Sequence, residues 1–393
     1  MATKWTTVTF GEVVTLAQGL CFNAKSNHLM AKTGIPLLRI ADLINNTQTK
    51  FVDAERVPKK YISNPNDIIY TRTGQVGLVF KGKVGVVHNN CFRVIPQDGV
   101  EADYVYWYLT QPSVIEKARS LASGAAQPDL GHDAFKSISF IYPEPSVQRR
   151  IGAILSAYDE LMENSQRRIR LLEAMARALY REWFVYFRFP GHETHPRVAS
   201  PLGDIPQGWE IALLASLVDF AKGRKPAETR PEPLPGDVKL LLIDSLHGGE
   251  AVFTAPVKLV LAETRDTIMV MDGASSCEVT IGSSGAVGST LGRFRTTQPD
   301  RFSPHTLYRF LEAKAEEFKS KNIGAAIPHA NKDYILTQSV ALPPKAITAS
   351  FNAHIEPIQC AIETLKLQIQ NLRRMRDLLL PRLLSGQIEI GNK

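Results

Sequence analysis

The sequence predicts an α+β fold with two globular domains, each followed by a long helix, and the two helices pair as an antiparallel coiled coil with internal pseudo-two-fold symmetry. Two observations predict it: a long helical pattern that occurs twice, and weaker repeated motifs in the β-rich segments before each copy. We divide the chain into a first α+β domain at 1–143, a central helix at 144–189, a linker with a second α+β domain at 190–344, and a C-terminal helix and tail at 345–393.

The two helical patterns are the longest repeat in the chain. Their apolar residues step by four and three positions, which places them on one face of a helix. The copies align without a gap at an offset of 200 residues, so that Leu172 matches Leu372 and Leu179 matches Leu379. Only Arg376 replaces an apolar residue in the second copy, and Pro357 is expected to kink that helix or delay its start.

A single apolar stripe along a helix of about 40 residues, roughly 60 Å long, has to be buried. The other copy offers a matching surface, which favours a two-stranded coiled coil. The alternative is that each helix packs onto its own domain.

The segments before the helices contain short β-rich runs and repeated motifs. In the first domain the predicted strands are Ile35–Ile40, Asp67–Thr71, Leu78–Phe80, Val84–Val87 and Phe92–Ile95. Four motif pairs recur in order: Trp5-x4-Phe10-x3-Val14 with Trp209-x4-Leu214-x3-Val218, Asp67-x6-Gly74 with Asp266-x6-Gly273, Gly82-Lys-Val-Gly85 with Gly285-Ala-Val-Gly288, and Gly124-Ala-Ala-Gln-Pro128 with Gly324-Ala-Ala-Ile-Pro328.

Charge and composition narrow the class of protein. The net charge of +7 fits a polyanionic partner without requiring one. Residues 1–143 have 15 basic and 11 acidic side chains, whereas residues 190–344 have 16 and 18. The second domain would therefore need local basic clusters to bind nucleic acid. The four isolated cysteines and the absence of a signal-peptide core lead us to expect a cytoplasmic protein.

Catalytic motifs are missing from the sequence. An autonomous adenine methyltransferase should show Asn/Asp-Pro-Pro-aromatic, but the only Pro-Pro pair follows Leu342. The segment Gly77-x4-Gly82-Lys83 approaches a P-loop, yet Val84 stands where a Ser or Thr would bind Mg²⁺, and we interpret it as a hairpin. The nine histidines show no pair at metal-ligand spacing with a carboxylate behind it. These absences favour a binding subunit with no metal and no cofactor of its own.

The repeat and its motifs resemble the specificity subunits of type I restriction–modification systems. The resemblance covers nearly the whole chain and is carried most specifically by the two helix ends, Leu172-Glu-x-Met-Ala-Arg-Ala-Leu-Tyr-Arg-Glu-Trp-Phe184 and Leu380-Pro-Arg-Leu-Leu-Ser-Gly-Gln-Ile388. It implies that each α+β domain is a target recognition domain that reads half of a bipartite DNA sequence, with the helices as a spacer. It also implies docking of two adenine-N6 methyltransferase subunits, which would bind S-adenosylmethionine, and of restriction/translocase subunits.

Lys and Arg neutralise phosphates, and Arg, Lys, Asn and Gln read base edges, so such residues in loops are the candidate DNA contacts. The alternative for each is an ordinary solvated or turn residue. The candidates are Arg72, Gln75, Lys81, Lys83, Asn89, Asn90 and Gln127 in the first domain, and Lys222, Arg224, Lys225, Arg293, Arg295, Arg301, Asn331 and Lys332 in the second. Candidate partner contacts on the helices are Leu172, Met175, Leu179, Trp183, Leu372, Met375, Leu379 and Leu383.

A second class of function stays open on the sequence alone. The chain could be a stand-alone scaffold or regulator that binds duplex DNA without a methyltransferase partner. A modification subunit encoded next to this chain would favour the first interpretation.

Overall fold

The computed structural model describes residues 5–23, 26–324 and 327–388. The chain divides into two compact units: the first contains Met1–Asn164 and Gln368–Lys393, and the second contains Ser165–Leu367. Each unit thus includes one end of each long helix, a division that cuts across the four segments drawn from the sequence.

The described residues of the first unit form three antiparallel or mixed sheets. Their strands are β1 (Thr6–Thr9), β2 (Val14–Gln18), β3 (Met30–Ala31), β4 (Ile35–Leu38), β5 (Phe51–Val52), β6 (Ile62–Ser63), β7 (Ile68–Thr71), β8 (Val79–Phe80), β9 (Gly85–Val87), β10 (Cys91–Pro96) and β11 (Ser139–Tyr142). Strand β1 pairs with β11, the order β2-β10-β7-β8 forms a second sheet, and the order β3-β5-β4-β9-β6 forms a third. Five of them confirm the strands predicted between residues 35 and 96.

The second unit repeats this topology. Its strands are β12 (Arg197–Ser200), β13 (Gly203–Pro206), β14 (Glu210–Leu213), β15 (Val218–Lys222), β16 (Val238–Leu241), β17 (Val252–Thr254), β18 (Leu261–Ala262), β19 (Thr267–Val270), β20 (Val279–Thr280), β21 (Gly285–Val287), β22 (Leu291–Thr296) and β23 (Ser339–Leu342). Strand β14 pairs with β23 as β1 pairs with β11, and the order β15-β22-β19-β20 matches β2-β10-β7-β8. The order β17-β16-β21-β18 matches β5-β4-β9-β6, so that the third sheet of the first unit differs by its additional strand β3. The predicted internal repeat is therefore confirmed.

The helices follow the same repeat. Pro112 begins a helix, as a residue without a backbone N–H can, and so separates it from the preceding helix, which ends at Leu109. The α-helices are α1 (Phe10–Val13), α2 (Ile40–Asn45), α3 (Ala102–Leu109), α4 (Pro112–Leu121), α5 (His132–Lys136), α6 (Pro145–Tyr180), α7 (Ile243–Leu246), α8 (Pro304–Ala313), α9 (Ala315–Ser320), α10 (Lys332–Leu336) and α11 (Lys345–Leu384), with a π-helical turn at Arg181–Val185 and short 3-10 turns at Asn27–Leu29, Lys59–Tyr61, His192–Thr194 and Leu214–Ser216.

The long helices α6 and α11 are antiparallel. In the first unit, Ile151 near the start of α6 and Leu383 near the end of α11 share one core. In the second unit, Phe184 just after α6 meets Phe351 near the start of α11, with ring centroids 4.8 Å apart. The predicted helix pairing is confirmed, and each helix end also packs into a domain core. Helix α11 begins at Lys345 and includes Pro357, so this proline does not delay the start.

Strand register corrects one motif pair. Strand β9 pairs with β4, and β21 pairs with β16 in the equivalent register, which matches Gly85 with Gly285. The predicted match of Gly82–Gly85 with Gly285–Gly288 is wrong by three residues. A Cβ at Gly85 or Gly285 would meet backbone oxygens at 2.5 or 2.1 Å, so both strands need glycine there. Short glycine-rich motifs cannot fix such a register from sequence.

The P-loop-like segment is not a hairpin. Strand β8, on one side of Gly82, pairs with β7. Strand β9, on the other side, pairs with β4 and β6 in a different sheet. The hairpin interpretation is wrong because β8 and β9 do not pair with each other; each pairs with other strands. The segment is a connection between two sheets, with Gly82 at φ +75°.

Membrane and metal features are absent from the part of the chain that the structure describes. No helix there is long and apolar enough to cross a bilayer. No group of three His, Cys, Asp or Glu side chains there could hold a metal ion. Cys21 and Cys360 are exposed and Cys91 and Cys277 are buried, all as free thiols.

Candidate nucleic-acid interface

Two loops of the first unit cross at one end of the sheet β2-β10-β7-β8. One loop follows β7, and the other connects α4 to α5. Gly74 donates a backbone hydrogen bond to the Pro128 carbonyl over 2.8 Å, and Leu130 donates one to the Arg72 carbonyl over 2.9 Å. Because strand β2 ends and β10 begins at the same edge, side chains from four segments meet here.

These side chains form the first crossed-loop cluster, which consists of Gln18, Arg72, Thr73, Asp129 and His132. The guanidinium of Arg72 forms an ion pair with Asp129 and donates to Gln18 Oε1 at 3.2 Å. The Thr73 hydroxyl donates to Asp129 Oδ1 at 2.5 Å. His132 Nε2 lies 2.9 Å from Gln18 Oε1. The cluster therefore holds donors, acceptors and a cation close together at a sheet edge.

In the first cluster, the surroundings favour the ionised form of Asp129 and the neutral form of His132. Partial burial raises the pKa of Asp129, but hydrogen bonds from Thr73 and Arg72 outweigh burial and hold the pKa below its usual range. Burial and the neighbouring Arg72 lower the pKa of His132. At neutral pH the cluster therefore presents a carboxylate, a guanidinium and an uncharged imidazole.

The second unit has the same backbone frame. Gly273 donates to the Pro328 carbonyl over 2.9 Å, and Ala330 donates to the Met271 carbonyl over 2.7 Å. These bonds match those of the first unit at offsets of about 200 residues. The Gly-Ala-Ala-x-Pro segment of this loop lies partly outside the described residues, at 325–326.

Different side chains occupy the second frame and form the second crossed-loop cluster, which consists of Phe220, Lys222, Asp272, His329 and Lys332. His329 Nδ1 lies 2.7 Å from Asp272 Oδ1, and Lys222 Nζ lies 3.2 Å from Asp272 Oδ2. Lys332 Nζ lies 5.6 Å from the centre of the Phe220 ring. Together with Met271, Ile323 and Ala330, these residues line a cleft of about 550 Å³.

Asp272 stays ionised in this cleft. Partial burial raises its pKa, but the hydrogen bonds from His329 and Lys222 outweigh burial and hold the pKa below the usual range. The two lysines leave the cleft electropositive overall. Residues 190–344 have more acidic than basic side chains, so this cleft is the kind of local basic cluster that they would need in order to bind nucleic acid.

Of the other predicted residues of the first domain, Asn90 adjoins the cluster, because its carbonyl accepts a 2.8 Å hydrogen bond from the Arg72 amide. Asn89 and Asn90 form the turn before β10, and the Asn89 carbonyl accepts a 2.6 Å hydrogen bond from Gln18. Lys81 pairs with Asp103, and Lys83 Nζ donates to Asn46 Oδ1 at 2.7 Å, both outside the cluster. Gln75 and Gln127 are exposed in the two crossing loops.

Several predicted arginines of the second domain are engaged in ion pairs away from the cleft. Arg295 makes a two-pronged contact with Asp266 at 2.7 and 2.6 Å. Arg293 pairs with Asp219 and Arg301 pairs with Glu210. Asn331 caps α10 by accepting from the Tyr334 amide at 3.1 Å. Arg224 and Lys225 are exposed in the loop after β15.

The predicted partner residues on the helices differ in exposure. Trp183 and Leu383 are buried in the domain cores at 5% and 3% exposure. Leu172, Leu179, Leu372 and Leu379 are half-buried. Met175 and Met375 remain open at 56% and 51% exposure, and Leu171 and Leu378, which the sequence pattern missed, at 61% and 62%.

Sequence reasoning also missed six members of the two clusters: Gln18, Thr73, Asp129, His132, Phe220 and Asp272. A search for basic and amide side chains passes over a carboxylate. The internal repeat could have pointed to them. When the two copies are aligned, the positions that directly follow equivalent strands carry different polar residues, as two sites of different specificity would.

Comparisons with known proteins fit this architecture, in which two equivalent α+β units carry matched polar loop clusters. The family model described as "Type I restriction modification DNA specificity domain" matches residues 2–174. The MjaIX specificity subunit of Methanocaldococcus jannaschii is 23% identical over 82% of this chain and 78% of its own length. The HindI specificity subunit of Haemophilus influenzae is 23% identical over 98% and 99%.

A solved structure agrees at the level of fold. The crystal structure of a type I restriction–modification system S subunit from M. genitalium covers 97% of this chain and 96% of its own chain, at 14% identity and a TM-score of 0.62. The two proteins thus share a duplicated α+β fold with two long helices. The chain is thus similar over most of its length to specificity subunits of type I restriction–modification systems, and the family model matches its first α+β domain and part of the helix that follows.

Proposed function

We propose that this chain reads a bipartite duplex DNA sequence and docks adenine-N6 methyltransferase subunits that carry out the chemistry. The observation that carries the proposal is the pair of crossed-loop clusters, which share one backbone frame and differ in side chains. Two readers on one frame suit a target with two unlike halves. Phosphate contacts from loop lysines and arginines would add affinity that does not depend on sequence.

In this proposal the chain is non-catalytic. S-adenosylmethionine binds to the partner methyltransferase, and restriction/translocase subunits join the same assembly. The exposed methionines and leucines of the long helices are the candidate docking contacts for the methyltransferase. Met175 and Met375 are equivalent in the two repeats, which suits two copies of one partner.

The test is to co-express the chain with the methyltransferase subunit encoded beside it and to map N6-methyladenine across the host genome. We expect methylation within a bipartite motif that depends on the chain. Exchanging residues 1–143 for those of a related subunit should change one half of the motif and leave the other half intact. Methylation without the chain, or a motif without two halves, contradicts the proposal.

A further inference from the structure

We propose that the second crossed-loop cluster is a base-reading site in which the Asp272 carboxylate accepts a hydrogen bond from an exocyclic amino group, on cytosine or adenine, in the major groove. The first crossed-loop cluster is its counterpart for the other half of the target. The inference rests on the proposed function and adds to it the residues that select bases. Carboxylates accept from amino groups of bases, whereas Arg and Lys donate to guanine.

The frames that hold the two clusters are equivalent, but their chemistry is not. Backbone bridges link Thr73 to Asp129 in one unit and Asp272 to His329 in the other. The strand register at the end of β2 and β15 matches Gln18 with Lys222. A conserved fold with exchanged polar side chains at matched positions is what a pair of sites needs in order to read different bases.

The ion pair of Asp272 differs from the structural ion pair of the same unit. Asp266 is 4% exposed in its side chain and bound by both prongs of Arg295, as a buried pair that stabilises the fold would be. Asp272 is 19% exposed and faces a cleft, and its partners Lys222 and His329 are 53% and 45% exposed. Because those partners reach into solvent, they can turn to a DNA ligand while the carboxylate stays in place.

The cleft around Asp272 suits a base edge. Phe220 and Met271 give it an apolar lining, and Lys222 and Lys332 contribute two cations to the same lining. A lysine beside the carboxylate can donate to a neighbouring guanine or to a phosphate. In the first cluster, Arg72 takes the cationic role, and no described residue accepts a hydrogen bond from its buried Nε.

The test uses the full complex of this chain with its methyltransferase subunit. Asp272→Asn keeps the shape of the side chain but replaces a pure acceptor with an amide. We expect methylation to become relaxed by about tenfold or more at one amino-bearing base of one half-site, with the other half and the spacing unchanged. Asp129→Asn should alter the other half only. Asp300→Asn is the matched control, because its exposed pair with Lys345 lies outside both clusters.

The outcomes separate the inference from the proposed function. If the wild-type complex shows no bipartite motif, the proposed function fails. If the motif is bipartite but Asp272→Asn methylates the same bases with the same preference, the inference fails and the function stands. His329→Gln, which leaves the carboxylate in place, provides a second variant if Asp272→Asn does not assemble. An effect of His329→Gln on the half-site that Asp129→Asn alters would also overturn the inference.

Discussion

Arg376 of α11 donates a hydrogen bond to Asp159 of α6, with 2.5 Å between Nη1 and Oδ1. The guanidinium also lies 5.6 Å from the centre of the Trp107 ring. Arg376 is the one polar residue in the apolar stripe, so its position is explained by a partner on each side. The equivalent residue in the second unit is Ala176, which is fully buried.

Replacing Arg376 should weaken the first unit. Arg376→Ala leaves Asp159 without its cation and uncovers Trp107, and we expect a loss of about 1–2 kcal/mol in the free energy of unfolding. This loss is modest because the Asp159 side chain is 38% exposed and solvent screens the ion pair. Denaturant unfolding measures the change. Arg374→Ala, at an exposed position of the same helix, should be nearly neutral, and equal effects of both variants would count against this role.

Arg295 should act on stability before it acts on DNA. Arg295→Ala leaves the buried carboxylate of Asp266 without its two-pronged partner, and we expect a loss of about 2–4 kcal/mol. Thermal or denaturant unfolding of the free chain measures this loss, with Lys225→Ala as an exposed control. Reduced DNA binding by a variant of unchanged stability would instead make Arg295 a DNA contact.

Acidic pH should destabilise the second unit through His305. Burial lowers the pKa of His305 from the usual value of 6.5; the nearby carboxylates Glu356 and Glu363 oppose this shift, and Arg265 and Arg309 add to it. Below pH 6.5 the unfolded chain takes up a proton that the folded chain resists, so stability falls as the pH drops from 6.5 toward the folded pKa. Melting temperatures measured above and below that pH should converge for His305→Leu. His28→Asn, at an exposed position, should retain the wild-type pH dependence.

The helices should set the gap in the recognised sequence. Inserting one heptad into α6 near Ser165 and one into α11 near Leu367 adds about 10 Å to each helix and keeps the paired faces in phase. If the helices act as the spacer, the gap between half-sites should grow by about three base pairs, with both halves unchanged. Mapping N6-methyladenine gives the motif. As a control, a heptad inserted into α6 alone breaks the register of the helix pair and should abolish methylation. A change in the bases of either half-site in the double insertion would refute the spacer role.

The exposed methionines should matter for the partner and not for folding. Met175→Glu and Met375→Glu place charge on apolar surface that is about half exposed, so unfolding should change by no more than about 0.5 kcal/mol. Co-purification should show weaker binding of the methyltransferase subunit, and more so in the double variant. Gln370→Glu, an exposed change on α11, is the control. Full binding by the double variant would exclude this surface.

The sequence predicted the long periodic helices correctly, but it did not predict the register of the short strands. A stripe of apolar residues repeated every three or four positions indicates a helix whatever surrounds it, and Ile151 and Phe351 are buried as that stripe requires. The match of Gly85 with Gly285 depends on which strands pair, and strand pairing is a long-range contact that a four-residue motif does not encode.

The candidate site was predicted in part for a similar reason. Arg72, Lys222 and Lys332 lie in the crossed-loop clusters. They were predicted because they are basic residues in loops close to the repeated glycines. The same kind of local signal selected Arg293, Arg295 and Arg301. Each of them instead forms an ion pair with a carboxylate that is distant in sequence. A local pattern cannot tell a free arginine from one whose acidic partner lies elsewhere along the chain.

The sharing of helix ends has a consequence for how the chain acquires its structure during synthesis. The core of the first unit includes Leu380, Leu383 and Leu384, which leave the ribosome long after the rest of that unit. The second unit is continuous from Ser165 to Leu367 and has all its residues earlier. Although most of the first unit is translated before the second, its core can be completed only after the second unit, once α11 has been synthesised.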